Sequence, residues 1–586
     1  MPSLRRYVVL LLSVLPLVAH AVPEPFFAPA VSTGSINVEL RPTEGVPAGS
    51  SRRITFGVPF PRGSVTTAGL ANIRVLRAGV EIPAHVEALT PWRHRLVPAL
   101  DGTSVRIVLI QLERSLPVAF PSFDTVTVEW GGPARTLDVP TLLDPRGSWH
   151  TVNSGLYVTA DNVTEPDVYA VLPADWLVRG ALSGVRSRAF DASNTPARDS
   201  PAAMDAVAHW PDFQEAERAH KNNTYTEVWR DEASVPTSLY PQFRTDREPW
   251  LYDRAQVILA LYERSGSFFA LREGVQAAQY YAGRTDANGS FSLAPGDTKY
   301  MYNQCLATVY WLTGDPQMPA KIAATSTGQN GFTHTWTSTR GFWTERHAAF
   351  KLLGKVIAYE VLGTAPRAAE VTQILADLRA HQNGIAPRPA PPPQTDGALF
   401  HLGTQHDGEW PDATYGGSSW MSVLLSDAVV HAYTTGEDLP TAQFIARLGN
   451  FLRATVINTT DHQYDTSAAL ATPRYVTMMD ASDGEAYAGN EEHALEVAAH
   501  LAWADYFARV AGTPDPGLRT RALEVYATYD EGVNFWIRPT APPANTAFRI
   551  SPPRKWGWEH RTSGGIGFAL SDIIPGEPPL FANGFE

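Results

Sequence analysis

Cysteine is nearly absent from this chain of 586 residues: Cys305 is the only one, so no disulfide can form within it. Charged residues are also sparse at 18%, and acidic residues exceed basic ones to give a formal net charge of -13. Because no basic stripe is present to displace counterions from phosphates, we expect no nucleic acid partner. After the N-terminus, no apolar run reaches the roughly 20 residues that a membrane-spanning helix needs. We therefore expect no membrane span in the mature protein.

The N-terminus has the pattern of an export signal. Arg5 and Arg6 precede an apolar run over residues 7–18, and residues 19–21 (AHA) are small enough for cleavage. The run is too short to span a bilayer. We therefore predict a signal peptide over residues 1–21 and a secreted or periplasmic location.

Aromatic side chains are abundant, with 16 Trp, 21 Tyr and 24 Phe. Most aromatic residues belong to cores, but an exposed Trp or Tyr combines a flat apolar face with a polar edge. Such faces stack on sugar rings, so we expect a polysaccharide or oligosaccharide partner. The length requires two or three domains, because one core rarely grows beyond roughly 300 residues. The sequence leaves the oligomeric state open.

Residues 344–363 carry the clearest helical pattern in the chain. Thr344 can cap the N-terminus, apolar residues cover most of the circumference, and Gly363 can end the helix in the left-handed conformation. His347, Lys351 and Lys355 form a polar stripe that is too narrow for a surface helix. This pattern predicts a helix in an inner layer.

Four other helical runs end in the same way, with an aromatic residue, a short spacer and a glycine. These endings lie at Tyr262 to Gly266, Trp311 to Gly314, Tyr433 to Gly436 and Tyr506 to Gly512. Their intervals match helical hairpins joined by short or long loops. We therefore predict that residues 248–574 form an (α/α) toroid of helical hairpins, whose inner helices surround a pocket if the ring closes.

The N-terminal part has a different pattern, with short alternating runs broken by Gly and Pro. Strands are predicted over residues 36–40, 54–58, 73–76, 105–109 and 126–130, which makes residues 30–148 a small all-β domain. Residues 149–247 follow as a mixed connector with short strands. Residues 575–586 form a C-terminal tail to which we assign no role.

Three segments of the β domain resemble a known family. Residues 54–63 (ITFGVPFPRG), 75–84 (VLRAGVEIPA) and 102–106 (GTSVR) are similar to the N-terminal RIFT barrel of exo-acting rhamnogalacturonan lyase-like proteins. In that family a barrel precedes an α/α toroid, so the resemblance implies a multidomain α and β fold with a small RIFT-like β-barrel. The family also places a full β-sandwich between the two, whereas here only residues 149–247 separate them. No catalytic residue is carried over.

If the inner helices run in one direction, their N-terminal ends share one face and offer unpaired amides and partial positive charge to an anion. A uronic acid carboxylate is such an anion. The substrate-binding candidates at these ends and in the loops beside them are Trp250, Arg254, Tyr300, Trp343, Glu345, Trp410, Trp420, Glu491, His493 and Trp558. The catalytic candidates are His347, His406, Tyr302, Tyr415, Arg346, Asn303 and Glu409. Each alone is also an ordinary cap or loop residue, so the prediction depends on their convergence.

The first function that fits such a pocket is that of a polysaccharide lyase, which removes the proton beside a uronate carboxylate and expels the leaving oxygen by β-elimination. Arg346 with Asn303 would hold the carboxylate. His347 or His406 would be the base, and Tyr302 or Tyr415 would be the acid.

Two other functions remain open. A glycoside hydrolase needs two facing carboxylates, for which the candidates are Asp253, Glu345, Glu409, Asp412 and Glu491. The third function is a non-catalytic carbohydrate-binding surface protein. No cofactor is predicted, because the only candidates for a divalent metal site have no recognised ligand spacing. Those candidates are His401, His406, Asp407 and Glu409.

Overall fold

The structure is a computed structural model. It describes residues 22–153, 157–189, 244, 247, 250–332, 344–385, 388–406, 410–462, 464, 466–484, 490–539, 546–548, 557, 560–570 and 572–573. The predicted signal peptide, Trp343, Glu409, Trp558 and the C-terminal tail lie outside these residues. Among the helices of the described part, none is both long enough and apolar enough to cross a membrane.

The chain alternates between strand-rich and helix-rich regions. The strands are β1 (Val22–Pro23), β2 (Gly34–Pro42), β3 (Ser51–Pro59), β4 (Arg74–Arg77), β5 (Val80–Glu81), β6 (His85–Pro91), β7 (Val105–Ser115), β8 (Asp124–Trp130), β9 (Trp149–Thr151), β10 (Thr164–Pro166), β11 (Val168–Val171), β12 (His401–Leu402), β13 (Tyr415–Ser418), β14 (Val456–Thr459), β15 (Leu470–Pro473), β16 (Val476–Met478), β17 (Ile537–Pro539), β18 (Thr546–Phe548) and β19 (Asp572–Ile573). The helices are α1 (Ala174–Arg179), α2 (Arg254–Ser265), α3 (Phe268–Gly283), α4 (Gln304–Thr313), α5 (Met318–Gly328), α6 (Glu345–Leu362), α7 (Ala365–Gln382), α8 (Ser419–Tyr433), α9 (Leu439–Thr455), α10 (Ala494–Val510), α11 (Pro516–Trp536) and α12 (Ile566–Ala569).

The N-terminal strands form two antiparallel sheets, with the orders β11-β2-β8-β4-β5 and β3-β7-β6. All five predicted strands are present, and their alternation places apolar side chains such as Val126 and Val128 in the core. β11, which lies within the predicted connector, pairs with β2 so that Val168 faces Pro42. Because the two sheets share no strand in the described residues, the RIFT barrel that the resemblance implies is not shown.

The C-terminal part is a ring of five helical hairpins: α2/α3, α4/α5, α6/α7, α8/α9 and α10/α11. The first helix of each hairpin contacts the first helix of the next, so these five form the inner layer. Residues 560–570, which include α12, then pack between α10 and α2. Gly565 lies so close to α10 that a Cβ atom there would come within 2.5 Å of the Trp503 ring, and Gly564 lies beside Arg264 of α2. The described residues therefore form a closed arrangement of inner helices.

Helix α6 has the bounds that its sequence predicts, and Gly363 ends it with a φ of 60°. Its lysines do not face the centre of the ring. The Lys351 ammonium donates to the Phe332 carbonyl at 3.3 Å, and the Lys355 ammonium donates to the Ser326 carbonyl at 2.8 Å. Both lysines therefore satisfy carbonyls at the end of the preceding hairpin, which explains how a charged stripe can be buried in an inner helix.

The β sheets cover the C-terminal ends of the inner helices. Gly57 lies directly against the carbonyl of Trp311 near the end of α4, where a Cβ atom would be only 1.7 Å from the oxygen. Arg106 donates to Glu360 near the end of α6 at 2.7 Å, and its guanidinium lies 4.6 Å from the Trp92 ring and 4.1 Å from the Trp311 ring. The β sheets therefore pack on the end of the ring opposite to the N-terminal ends of the inner helices.

Candidate functional site

A small sheet lies across the N-terminal ends of the inner helices and brings loop residues to them. β12, β13 and β16 pair antiparallel, so that His401 faces Gly416 and Gly416 faces Met478. One of these strands adjoins a helix start, since β13 ends at Ser418 directly before α8. The sheet register therefore places His401 over the start of α6, where Glu345 is the first helical residue.

A carboxylate and two imidazoles form a chain at this place. Glu345 Oε2 lies 2.9 Å from His401 Nδ1, and both side chains have an exposed fraction of 0%. His401 Nε2 lies 2.9 Å from His406 Nδ1, and the two rings stack with an angle of 13° between their planes. Residues 403–405, between the two histidines, form a 3-10 turn. The chain thus leads from a buried carboxylate toward His406.

The contact between the two rings couples their tautomers. Burial lowers the pKa of His401, and the nearby carboxylate of Glu345 only partly opposes this effect, so His401 is neutral at working pH. If His401 Nδ1–H faces the carboxylate, its Nε2 is the acceptor and must receive a hydrogen from His406 Nδ1. The lone pair of His406 then lies on Nε2. A neutral imidazole held in this tautomer is suited to accept a proton.

Aromatic rings surround the two histidines. The Trp410 ring lies 5.1 Å from His401 and 4.9 Å from His406, while Tyr475 lies 6.0 Å from His406. Trp420 contacts Tyr475 at 5.6 Å. Trp410 and Trp420 are buried, whereas Tyr475 is half-buried and marks the open side of the group. We call Trp410, Trp420 and Tyr475 the aromatic wall.

A second carboxylate–imidazole pair joins the aromatic wall from the start of α10. His493 Nδ1 is hydrogen-bonded to Glu496, one helical turn further on, and both side chains are buried. The His493 ring stacks on Trp420 at 5.4 Å with an angle of 11°, and its centre lies 6.4 Å from Tyr475. Two histidines with fixed Nδ1 atoms therefore contact the same tyrosine ring.

The cluster also carries positive charge. The Arg346 guanidinium lies 5.1 Å from the centre of the Trp420 ring and is half-buried. Burial lowers the pKa of His347 to about 2, and the positive charges of Arg346 and Lys299 add to this effect. A site in which two cations act on one buried imidazole favours an anionic ligand.

His347 itself is held inside the cluster. Its Nδ1 lies 2.7 Å from the Thr344 hydroxyl, so the predicted cap residue contacts this histidine, and no side-chain cap bond to the helix backbone forms. Phe332 packs edge-on against the ring at 5.1 Å. Since its pKa is about 2, His347 stays neutral and is a weak base. The base role for His347 stays a prediction that this environment disfavours.

Several predicted site residues lie in the core and not in the cluster. Trp250 stacks on Tyr280 of the outer helix α3 at 4.8 Å, so one face of its indole is covered. The Tyr302 hydroxyl accepts from the Tyr252 backbone at 2.8 Å and donates to the Lys299 carbonyl, and burial raises its pKa well above the ordinary value. Asn303, Arg254 and Tyr300 are buried as well, and the Asn303 amide donates to the Gly354 carbonyl at 2.8 Å. We therefore describe these five residues as core residues.

The remaining predicted residues lie at the edge of the cluster. Tyr415 is half-buried in β13, where it pairs with Leu402 next to His401. The backbone carbonyl of Glu491 accepts from the Tyr464 hydroxyl at 3.3 Å, in the turn before His493. Their roles stay predictions.

Sequence reasoning missed two residues of the cluster, Tyr475 and Glu496. Glu496 could have been found, because it follows His493 at a helical spacing that brings the two side chains together. Tyr475 lies between β15 and β16 and gives no local signal. Within the described part of the chain, no group of three His, Cys, Asp or Glu side chains is arranged to hold a metal ion. Asp407 and Glu409, two of the predicted metal candidates, lie outside that part.

The fold and the cluster together define a ring of helical hairpins on a β domain, with a carboxylate–histidine–aromatic site at the N-terminal ends of the inner helices. No family model and no curated protein matches the sequence. Among solved structures, the chain is similar to a sugar epimerase from a ruminal bacterium (11% identity, 63% of this chain and 98% of that one, TM-score 0.41). It is also similar to an unsaturated glucuronyl hydrolase specific for heparin (10%, 62% and 96%, TM-score 0.39) and to one from Streptococcus agalactiae (10%, 65% and 93%, TM-score 0.37). These likenesses are too distant to carry a function to this chain.

Proposed function

We propose that this protein is a secreted carbohydrate-active enzyme that cleaves a uronic acid-containing polysaccharide by β-elimination, with His406 as the base. The observation that carries the proposal is the buried chain from Glu345 through His401 to His406. An Nδ1–H of His401 directed at Glu345 would hold His406 in the tautomer that accepts a proton, and Trp410 packs beside both rings. The predicted export signal and the resemblance to rhamnogalacturonan lyase-like proteins agree with this substrate class.

The reaction needs three groups. A cation must neutralise the uronate carboxylate so that the neighbouring C5 proton becomes acidic, and Arg346 supplies one beside Trp420. His406 Nε2 takes the proton, a double bond forms between C4 and C5, and the C4–O bond breaks. The electron pair of that bond stays on the leaving oxygen, which then needs a proton from an acid.

A hydrolase requires a different arrangement, with two carboxylates directed at the scissile bond. Of its described candidates, Asp253 is buried and accepts from the Gln256 backbone at 3.3 Å as a helix cap, and Asp412 is exposed. Glu491 is buried at the edge of the cluster. Glu345 is already engaged with His401. Glu345 and Glu496 therefore contact imidazoles, which supports acid–base catalysis through histidine over hydrolysis by two carboxylates.

The test is to incubate the full chain with a panel of acidic and neutral polysaccharides and to read ultraviolet absorbance and reducing ends side by side. Elimination gives a double bond conjugated to the carboxylate, which absorbs in the ultraviolet. His406→Gln is expected to lower this activity by about 100-fold or more, as loss of a general base does. The matched control is His85→Gln, because His85 also contacts a carboxylate, Glu87 at 3.1 Å, but lies in the β domain.

Each other outcome identifies a different function. Reducing ends without ultraviolet absorbance would mean hydrolysis. Binding to a polysaccharide without any product would mean a carbohydrate-binding protein. An unchanged rate for His406→Gln would remove His406 as the base even if elimination occurs.

A further inference from the structure

The leaving oxygen needs a proton, for which the sequence offers Tyr302 and Tyr415, and Tyr415 lies at the edge of the cluster. The tyrosine hydroxyl at Tyr302 is used inside the core, where it contacts the Tyr252 backbone and the Lys299 carbonyl. The cluster, however, contains a second imidazole with a fixed Nδ1. His493 is bound to Glu496 and stacks on Trp420, in contact with the same Tyr475 ring that His406 contacts.

The supports of the two histidines differ in charge. His406 is bound to His401, which is a neutral ring because burial lowers its pKa. His493 is bound directly to the carboxylate of Glu496. Glu496 holds Nδ1 of His493, so a proton that this ring can give to substrate lies on Nε2 with a carboxylate behind it, whereas His406 has only a neutral ring behind it. The two histidines are therefore suited to opposite halves of one proton transfer reaction.

We propose that His493 is the general acid of this site, which protonates the leaving oxygen while His406 removes the C5 proton, and that Glu496 is the residue that positions His493. This inference rests on the proposed function. The proton on His493 Nε2 moves to the oxygen of the breaking C4–O bond, and His406 gains the proton from C5. One proton leaves the enzyme at one histidine and one arrives at the other, so the pair returns to its starting state by exchange with water.

Substrates with different leaving groups distinguish a general acid role of His493 from a structural role. A natural glycosidic oxygen is a poor leaving group and needs an acid, whereas an aryl oxide or fluoride at C4 of the same uronate departs without one. For His493→Gln we expect a loss of about 100-fold or more on the natural linkage. On the activated substrate the same variant should retain most of the wild-type rate, while His406→Gln stays defective on both substrates.

Glu496→Gln tests the positioning role with a readout that misfolding would not produce. We expect the alkaline limb of the pH profile of kcat/KM to move to lower pH on the natural linkage, because an amide no longer favours the charged imidazole. On the activated substrate this limb should not move. Thermal unfolding of each variant checks that the fold is retained, and His85→Gln serves again as the control outside the site.

The outcomes distinguish the two proposals. If the wild-type protein eliminates both substrates and His493→Gln slows both by the same factor, or neither, His493 is not the acid and the elimination mechanism otherwise stands. If the wild-type protein eliminates neither substrate, the proposed function is wrong and the role of His493 falls with it. An unchanged pH profile for Glu496→Gln would overturn the positioning role.

Discussion

Replacing Glu345 by glutamine tests the chain of Glu345, His401 and His406 at the end that lies farthest from the substrate. The carboxylate lies 2.9 Å from His401 Nδ1 in an environment without solvent access, so glutamine keeps the shape and removes the charge. If its carbonyl takes the place of the carboxylate, the tautomers persist and only the electrostatic support is lost. If its amide hydrogens face His401, both rings must adopt the other tautomer and His406 Nε2 carries a hydrogen in place of the lone pair.

The expected loss follows from these two arrangements. Residues that orient an imidazole from behind are typically worth about 10- to 100-fold, so we expect kcat/KM to fall by that factor. A tenfold change corresponds to about 1.4 kcal/mol. Because Glu345 acts only through His401, the double variant with His401→Gln should lose little more than the worse single variant.

The assay is the initial rate of ultraviolet product formation, measured together with thermal unfolding. Glu87→Gln is the matched control, since Glu87 contacts His85 in the β domain. A Glu345→Gln protein with full activity and unchanged unfolding would refute the chain as a functional unit. Losses from Glu345 and His401 that simply add would refute the idea that one acts through the other.

Two further predictions concern the junctions that hold the fold together. Arg106→Met should lower the free energy of unfolding by about 3–5 kcal/mol, because Glu360 stays buried with only His431 and Thr434 as partners. Arg41→Met, at a partly exposed pair with Glu39, should change the free energy of unfolding by about 1 kcal/mol or less. Both values are measured by denaturant unfolding. Hydrogen bonds to Asp167 and Glu165 raise the pKa of His150 from 6.5 to about 9. Protonated His150 therefore stabilises the folded protein fully below pH 6.5, and this stabilisation is lost as the pH rises through about 9. Because the His150 ring is partly exposed, solvent screening reduces this contribution to the free energy of unfolding to about 1 kcal/mol. The wild-type protein should therefore lose thermal stability between neutral and alkaline pH, and His150→Gln should abolish that loss. A loss of stability that persists in His150→Gln would contradict this assignment.

Local signals made much of the fold predictable. Helix α6 could be bounded from Thr344 and Gly363 because a cap and a left-handed glycine act within one turn of the chain. The β strands could be placed because alternation of apolar residues is a property of each strand alone. Neither signal contains the pairing of strands, so the two separate sheets, with β11 added from the connector, could not be derived from it.

The site was harder to predict because a helix start on an inner helix can face either the pocket or the outer layer. Trp250 and Trp420 both lie near such starts, yet Trp250 stacks on the outer helix α3 while Trp420 stacks on His493. The residue type is the same in both cases. Only the rotation of each helix about its axis decides whether the Trp side chain faces the site or the outer layer. Tyr302, a candidate acid in the sequence-based hypothesis, is a core residue in the structure.

The position of the site depends on a contact between the small sheet and the start of α6, which are far apart in the sequence. Gly417, in the middle strand of the small sheet, lies so close to the ring that a Cβ atom there would be 2.9 Å from Phe451 and 3.3 Å from Glu345 Oε1. A side chain at this position would push the sheet away from the start of α6. Since His401 faces Gly416 in the neighbouring strand, the same displacement would separate His401 from Glu345. The absence of a side chain at residue 417 therefore allows the carboxylate and the two imidazoles to meet, although this glycine has no chemical role of its own.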